Sequence, residues 1–194
     1  MSSDSKDDLP GDVTRLLQEW HDGSETATDR LFSLVDAELH AIAHRRMQGE
    51  RLGHTMQAPD LVNEVVRKLL PGGAPNVSQR AQFFQLIARA MRNVLVDHAR
   101  KRNADKRGGG ADRLGLTGLD GEAPREEVDL LPLHAALRDL ERVDPRQAKI
   151  IQMKFFAGMS NEDAAEALGV SVATVKREWA TAREWLKAKL ELEG

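Results

Sequence analysis

Cysteine is absent from this chain of 194 residues. The chain therefore contains neither a disulfide nor a zinc site with cysteine ligands, and a reducing cytoplasm is its expected location. Tyrosine is also absent, aromatic residues make up only 4% of the chain, and no repeated strand pattern is visible. No apolar run approaches the ~20 residues that a membrane span requires, and the acidic first residues do not predict a signal peptide. These absences favour an all-α protein without a membrane segment.

The charged residues are distributed unevenly, although the formal net charge is only −3. Residues 1–40 contain ten acidic and three basic residues, whereas residues 80–113 contain nine basic and three acidic residues. Residues 120–144 are acidic again, with eight acidic and three basic residues. A basic block between acidic ones predicts a local site for a polyanion that the overall charge conceals.

The apolar pattern predicts two small helical domains joined by a flexible linker. Residues 1–10 are polar and acidic, which predicts disorder. Residues 11–102 form the first predicted domain and residues 131–194 the second. Between them, residues 103–130 are dense in Gly, Asp and Pro, which indicates a linker.

Residues 160–186 predict a helix-turn-helix in the second domain. Ser160 and Asp163 suit the start of a short helix, Gly169 suits the turn, and Ser171 suits the cap of a second helix. Apolar residues recur at spacings of three and four on that second helix: Val172, Val175, Trp179, Ala182 and Leu186. The opposite face carries short or donor-rich side chains, which suit a DNA major groove. A solvated face on an ordinary helical hairpin is the alternative.

A long helix is predicted over residues 80–102, with a core face that includes Phe84, Ile87 and Met91. The opposite face contains Arg89, Arg92, Asn93, Asp97 and Arg100. Arginine and asparagine bind phosphates and base edges, and this helix contains no Glu, which a solvated face would normally include. The pattern favours contact with nucleic acid over simple solvation.

Two further patterns carry weaker signals. A compact helix begins at Asp60, and its polar face consists of Asp60, Asn63, Glu64, Arg67 and Lys68. From charge alone, simple solvation of this face is the favoured interpretation. His40 and His44 stand at i and i+4, a spacing that chelates metals, but no third ligand is evident. We therefore predict no metal, no cofactor and no catalytic residue.

Three of these motifs, in this order and at these gaps, resemble a bacterial extracytoplasmic-function (ECF) sigma factor. They are DLVNEVVRKLL, ARAMRNVLVDHARKR and LGVSVATVKREW, and the resemblance extends from Trp20 to Leu190. It implies a subunit of RNA polymerase that directs promoter recognition and transcription initiation.

The resemblance also implies roles for particular residues. Asp60, Asn63, Glu64 and Arg67 would dock on the β′ clamp of core RNA polymerase. Promoter DNA would be contacted at the minus-ten element by Arg89, Arg92, Asn93, Asp97 and Arg100, and at the minus-thirty-five element by Thr174, Lys176, Arg177 and Arg183. The Pro71–Arg80 loop would hold a base flipped from the melted strand, supported by Phe83 or Phe84. The second domain would rest on the β flap, and an anti-sigma protein is a candidate regulator.

Two other functions stay open at this point. One is a stand-alone helix-turn-helix regulator that binds duplex DNA as a dimer, and the other is a metal-dependent hydrolase using His40 and His44. Thr55 adds a regulatory hypothesis, because its phosphorylation by a Ser/Thr kinase would add negative charge just before the docking helix. An unmodified loop threonine is the alternative.

Overall fold

A computed structural model describes residues 9–47, 56–70, 77–105, 113–115 and 127–193 of the protein. The helices and strands in chain order are α1 (Leu9–His21), α2 (Glu25–Met47), α3 (Ala58–Leu69), α4 (Arg80–Asp105), β1 (Arg113–Gly115), β2 (Glu127–Asp129), α5 (Leu130–Val143), α6 (Pro145–Ile151), a π-helical turn (Gln152–Phe156), α7 (Asn161–Leu168) and α8 (Val172–Glu193). The predicted all-α class is confirmed, with one short two-stranded pairing added to it.

The N-terminal helices α1–α4 pack around apolar side chains whose spacing the sequence predicts. Helix α1 lies on α2, and α3 lies against both α2 and α4. Phe83 and Phe84 are buried, and the ring of Phe83 makes edge contacts with Phe32 and Phe84. Both rings therefore complete the core in this structure, and the support of a flipped base by either ring stays a prediction.

The C-terminal helices α5–α8 form a second group in which α8 packs on α5, α6 and α7. Ser160 caps α7, since its hydroxyl accepts the Asp163 N–H at 2.9 Å, and Asp163 in turn accepts the Ser160 N–H at 3.3 Å. Gly169 follows α7 with φ of +64°, a backbone conformation in which glycine has no Cβ to clash. These local features turn the chain from α7 into α8, as the sequence predicts.

The segment predicted as a linker contains some regular structure. Helix α4 extends to Asp105, and β1 pairs with β2 in antiparallel register, with Arg113 opposite Asp129 and Gly115 opposite Glu127. The pairing gives the backbone groups of these short segments hydrogen-bond partners within the chain. Residues 106–112 and 116–126 lie outside the described residues.

The two helical groups also pack against each other. Helix α4 lies against α5, the π-helical turn and α7, so that buried apolar residues of both groups form one continuous core. We call this packing of α4 on the C-terminal helices the closed arrangement. In the part of the chain that the structure describes, no helix is long and apolar enough to cross a membrane.

Candidate nucleic-acid interface

A cleft of about 660 Å³ lies between α4 and the C-terminal helices. All five residues of α4 that the sequence selects for DNA contact line this cleft: Arg89, Arg92, Asn93, Asp97 and Arg100. The C-terminal group contributes His134, Arg138, Glu141, Pro145, Lys149 and Gln152. The structure therefore brings the predicted residues together, but on a face that the second group of helices covers in part.

Arg92 is the main departure from the sequence-based expectation. The sequence predicts that it faces away from the core, yet its side chain is only 5% exposed. Its Nη1 donates to Glu141 Oε1 at 2.6 Å, and its Nε donates to His134 Nδ1 at 3.1 Å. Both partners belong to α5, because the closed arrangement covers this part of α4.

Gln152 completes the set of side chains around Arg92. Its amide nitrogen donates to Glu141 Oε1 at 2.6 Å from the π-helical turn. One carboxylate oxygen thus accepts hydrogen bonds from α4 and from the π-helical turn. We call Arg92, His134, Glu141 and Gln152 the interdomain network. A buried guanidinium requires such partners, because an unpaired buried charge is costly.

The state of His134 follows from this geometry. Its Nδ1 accepts a hydrogen bond from Arg92, so this nitrogen carries no proton and the ring is neutral. Burial lowers the pKa of His134, and the positive charges of Arg92, Arg100 and Arg138 lower it further, against the opposing effect of Glu141. A protonated His134 would lose its role as acceptor and add another cation beside Arg92.

Three other ion pairs involve residues near the cleft. Arg80 binds Glu38 of α2 through two contacts of 2.7 and 2.8 Å, and its Nη1 lies 3.6 Å from Asp163 of α7. Arg80 therefore links the two helical groups a second time. Asp97 accepts a hydrogen bond from Lys68 at 2.5 Å, so the predicted DNA contact at Asp97 is engaged with α3.

Of the predicted residues on α8, Lys176 and Arg177 lie on its outward face, away from the buried Val175, Trp179 and Ala182. Lys176 and Arg177 are exposed and form no ion pair with any side chain that the structure describes. Thr174 is half-buried, and its hydroxyl lies 2.9 Å from that of Ser171. Arg183 is half-buried farther along α8.

Glu178 lies between these residues in sequence but does not share their surface. It is only 6% exposed and pairs with Arg146 of α6 through two hydrogen bonds. This pair attaches α8 to α6, so Glu178 has a structural partner and is not part of the outward face.

The predicted docking residues lie on α3. Asp60 and Asn63 are exposed, and Asp60 accepts the backbone N–H of Gln57 at 2.8 Å at the start of the helix. Glu64 pairs with Arg67 one turn later. Thr55, the candidate phosphorylation site, and residues 71–76 of the predicted base-holding loop lie outside the described residues.

No metal site is evident in the part of the chain that the structure describes, where no three His, Asp or Glu side chains are grouped as ligands. His40, one of the two candidate metal ligands, lies 3.5 Å from Asp36 on the same helix.

Comparison with known proteins decides the family. No curated protein matches the chain. Two solved structures match the chain, both with TM-scores below 0.5. One is CnrH in complex with the cytosolic domain of CnrY, at 20% identity over 94% of this chain and 99% of that chain with a TM-score of 0.42. The other is the sigma factor RpoE in complex with the anti-sigma factor NepR from Bartonella quintana, at 23% identity over 86% of this chain and 98% of that chain with a TM-score of 0.36. The ECF sigma factor family matches residues 10–192. The chain belongs to this family.

This ECF sigma factor is therefore an RNA polymerase sigma factor, as the sequence predicts. The family match favours that function over both a stand-alone regulator and a metal-dependent hydrolase. The interdomain network is a feature of this sigma factor that sequence reasoning missed. His134, Arg138 and Glu141 stand at i, i+4 and i+7, which predicts one shared face of α5 beside its apolar stripe. That spacing does not indicate which element covers the face.

The pKa shift of His134 predicts that acid opens the closed arrangement. In the closed arrangement the pKa of His134 is lowered, whereas in an opened protein it returns toward about 6.5. The opened form therefore binds more protons, and the stabilisation of the closed arrangement is complete above about pH 6.5 and is lost as the pH falls below that value.

Fluorescence energy transfer between the two helical groups measures this effect. Because the chain lacks cysteine, dyes can be attached at Gln18→Cys on α1 and Ala188→Cys on α8, both at exposed positions. We expect energy transfer to fall between about pH 7.5 and about pH 5.5, and we expect His134→Gln, which accepts a hydrogen bond without titrating, to remove most of this fall. An equal fall in His134→Gln contradicts the assignment to His134.

Proposed function

We propose that this sigma factor reads promoter DNA with two separate surfaces. Helix α8 contacts the minus-thirty-five element through Thr174, Lys176, Arg177 and Arg183. The cleft face of α4 contacts the minus-ten element through Arg89, Arg92, Asn93, Asp97 and Arg100. The observation that carries the proposal is the exposure of Lys176 and Arg177, which have no ion-pair partner among the described side chains, on a helix whose other face is buried.

Core RNA polymerase is the proposed docking partner of α3. Asp60, Asn63, Glu64 and Arg67 present a mixed polar surface, followed by Leu70, which is 43% exposed at the end of the helix. An apolar residue beside charged ones suits a protein partner, because interfaces combine an apolar centre with a polar rim. In this proposal the clamp of the β′ subunit is that partner, and α5–α8 rest on the β flap.

The closed arrangement implies that minus-ten recognition requires a movement. Arg92 is buried against α5 and its hydrogen-bonding groups are engaged with Glu141 and His134. A side chain in that state cannot contact a phosphate or a base. We propose that α5–α8 leave the cleft face of α4 when the sigma factor binds core polymerase and the promoter.

The α8 assignment predicts an element-specific loss. Replacement of Lys176 and Arg177 by Ala should weaken open-complex formation by about 5- to 150-fold on a promoter with an intact minus-thirty-five element, since one good base contact contributes about 1–3 kcal/mol. On a promoter whose minus-thirty-five element is scrambled the loss should be much smaller. Run-off transcription with core polymerase measures both.

Arg142→Ala is the matched control for this experiment. Arg142 is an exposed arginine on α5 that pairs with Asp139 and lies outside the proposed promoter-reading surfaces. It should leave transcription from both promoters unchanged. Equal losses on the intact and scrambled promoters would count against the assignment of α8.

The α4 assignment is tested by separating the two roles of Arg92. Arg92→Ala removes both the proposed DNA contact and the link to α5, whereas Glu141→Ala removes only the link. We expect Arg92→Ala and Asn93→Ala to reduce permanganate reactivity of unpaired thymines in the open complex, without a change in affinity for core polymerase. Glu141→Ala should retain or increase that reactivity. Normal promoter melting by Arg92→Ala would contradict the assignment of minus-ten recognition to α4.

A further inference from the structure

The cleft between the two helical groups contains an excess of positive charge. Arg89 and Arg100 of α4 face Arg138 of α5 and Lys149 of α6 across it. All four are exposed, and none forms an ion pair with a side chain in the described ranges. The two carboxylates that line the cleft are already engaged, because Asp97 binds Lys68 and Glu141 binds Arg92.

The pKa of His134 is lowered by some of these same cations. After burial, the charges of Arg92, Arg100 and Arg138 are the causes that lower its pKa. Cations from both helical groups therefore act at one point, and they repel each other across the cleft when α4 packs on α5 and the π-helical turn. An anion in the cleft would replace this repulsion with attraction on both sides.

The dimensions and lining of the cleft restrict which anion fits. Its volume of about 660 Å³ falls in the range of small-molecule sites, about 300–1,000 Å³. A double helix cannot enter it while the closed arrangement persists. Arginine side chains bind phosphate groups through paired hydrogen bonds. Beside the cations, Leu86 and Val96 supply apolar surface and Gln85 supplies an amide.

We propose that this cleft is a binding site for a small oligophosphate, which bridges Arg89 and Arg100 on one side and Arg138 and Lys149 on the other. The shared chemistry is a chain of phosphates with three or more negative charges, carried either by a nucleotide or by inorganic oligophosphate. Because the ligand contacts both helical groups, it binds the closed arrangement more tightly than the opened one and shifts the population toward it. The consequence for transcription, which is inhibition, rests on the function proposed above, whereas the binding site does not.

Isothermal titration of the full chain without polymerase tests the site directly. The probes are inorganic triphosphate, GTP and guanosine, at low ionic strength where screening is weak. We expect triphosphate and GTP to bind and guanosine alone not to bind. Tighter binding of GTP than of triphosphate would assign part of the site to the base, and equal binding would assign it to the phosphates alone. Absence of binding by both phosphate probes overturns the proposal.

Two double variants distinguish the cleft from general attraction to a basic surface. Arg138→Gln with Lys149→Gln removes two cations of the cleft, and we expect a loss of affinity of about tenfold or more. Arg142→Gln with Lys101→Gln removes the same charge at exposed positions outside the cleft lining, and we expect it to retain most of the affinity. Equal losses in the two double variants overturn the proposal, because they indicate non-specific binding.

The dyes at Gln18→Cys and Ala188→Cys separate this inference from the proposed function. We expect triphosphate to raise energy transfer in the free protein at about pH 5.5, where we predict that protonation of His134 opens the closed arrangement. We expect Arg138→Gln with Lys149→Gln to abolish this rise. Binding without that rise would refute the bridging role. Transcription on core polymerase without added oligophosphate should be unchanged in this double variant, so a failure to transcribe would count against the proposed function and not against the site.

Discussion

The guanidinium of Arg92 is the group on which the closed arrangement depends. It carries a full charge at a position that is almost completely buried, and such a charge is tolerated only when its hydrogen bonds and its counter-charge are supplied locally. Glu141 supplies the counter-charge, His134 supplies a neutral acceptor, and Gln152 holds the carboxylate from the π-helical turn. The same requirement makes the contact sensitive to its surroundings. Removal of Glu141 or His134 leaves part of the buried guanidinium unsatisfied, so α4 either keeps these partners or exchanges them for others.

We propose promoter DNA as the second partner of this surface. Phosphates and base edges offer a guanidinium the same acceptor chemistry that a carboxylate and an imidazole offer, and they are absent until the polymerase and the promoter are present. In this proposal one face of α4 makes two contacts that exclude each other, one within the chain and one with DNA. This double use of one surface explains why several cations lack a counter-charge among the described side chains in the closed arrangement: Arg89, Arg100, Arg138 and Lys149. A surface with enough positive charge for nucleic acid remains under-neutralised when another part of the same protein covers it.

The sequence predicts the parts of this structure that local chemistry determines. The cap at Ser160, the turn at Gly169 and the apolar stripe of α8 all follow from neighbouring residues, and the structure contains each of them. The burial of Arg92 does not follow in this way, because its partner Glu141 lies 49 positions later in the chain. Spacing assigned Arg92 to the side of α4 opposite the core, and it could not reveal that a second group of helices covers that side. Glu178 illustrates the same limit, since its partner Arg146 belongs to another helix. The roles of the α3, α4 and α8 residues in docking and DNA contact remain predictions.

We propose that the cleft face of α4 is either covered by α5 and the π-helical turn or in contact with the promoter, but never both. This exclusion can be tested by energy transfer between the two helical groups, measured as the labelled sigma factor is given first core polymerase and then promoter DNA. Unpaired thymines, measured in the same samples, report whether the promoter has opened. We expect high transfer in the free protein and low transfer in every complex in which the promoter is melted. A melted promoter in a complex that keeps the high transfer of the free protein would contradict it.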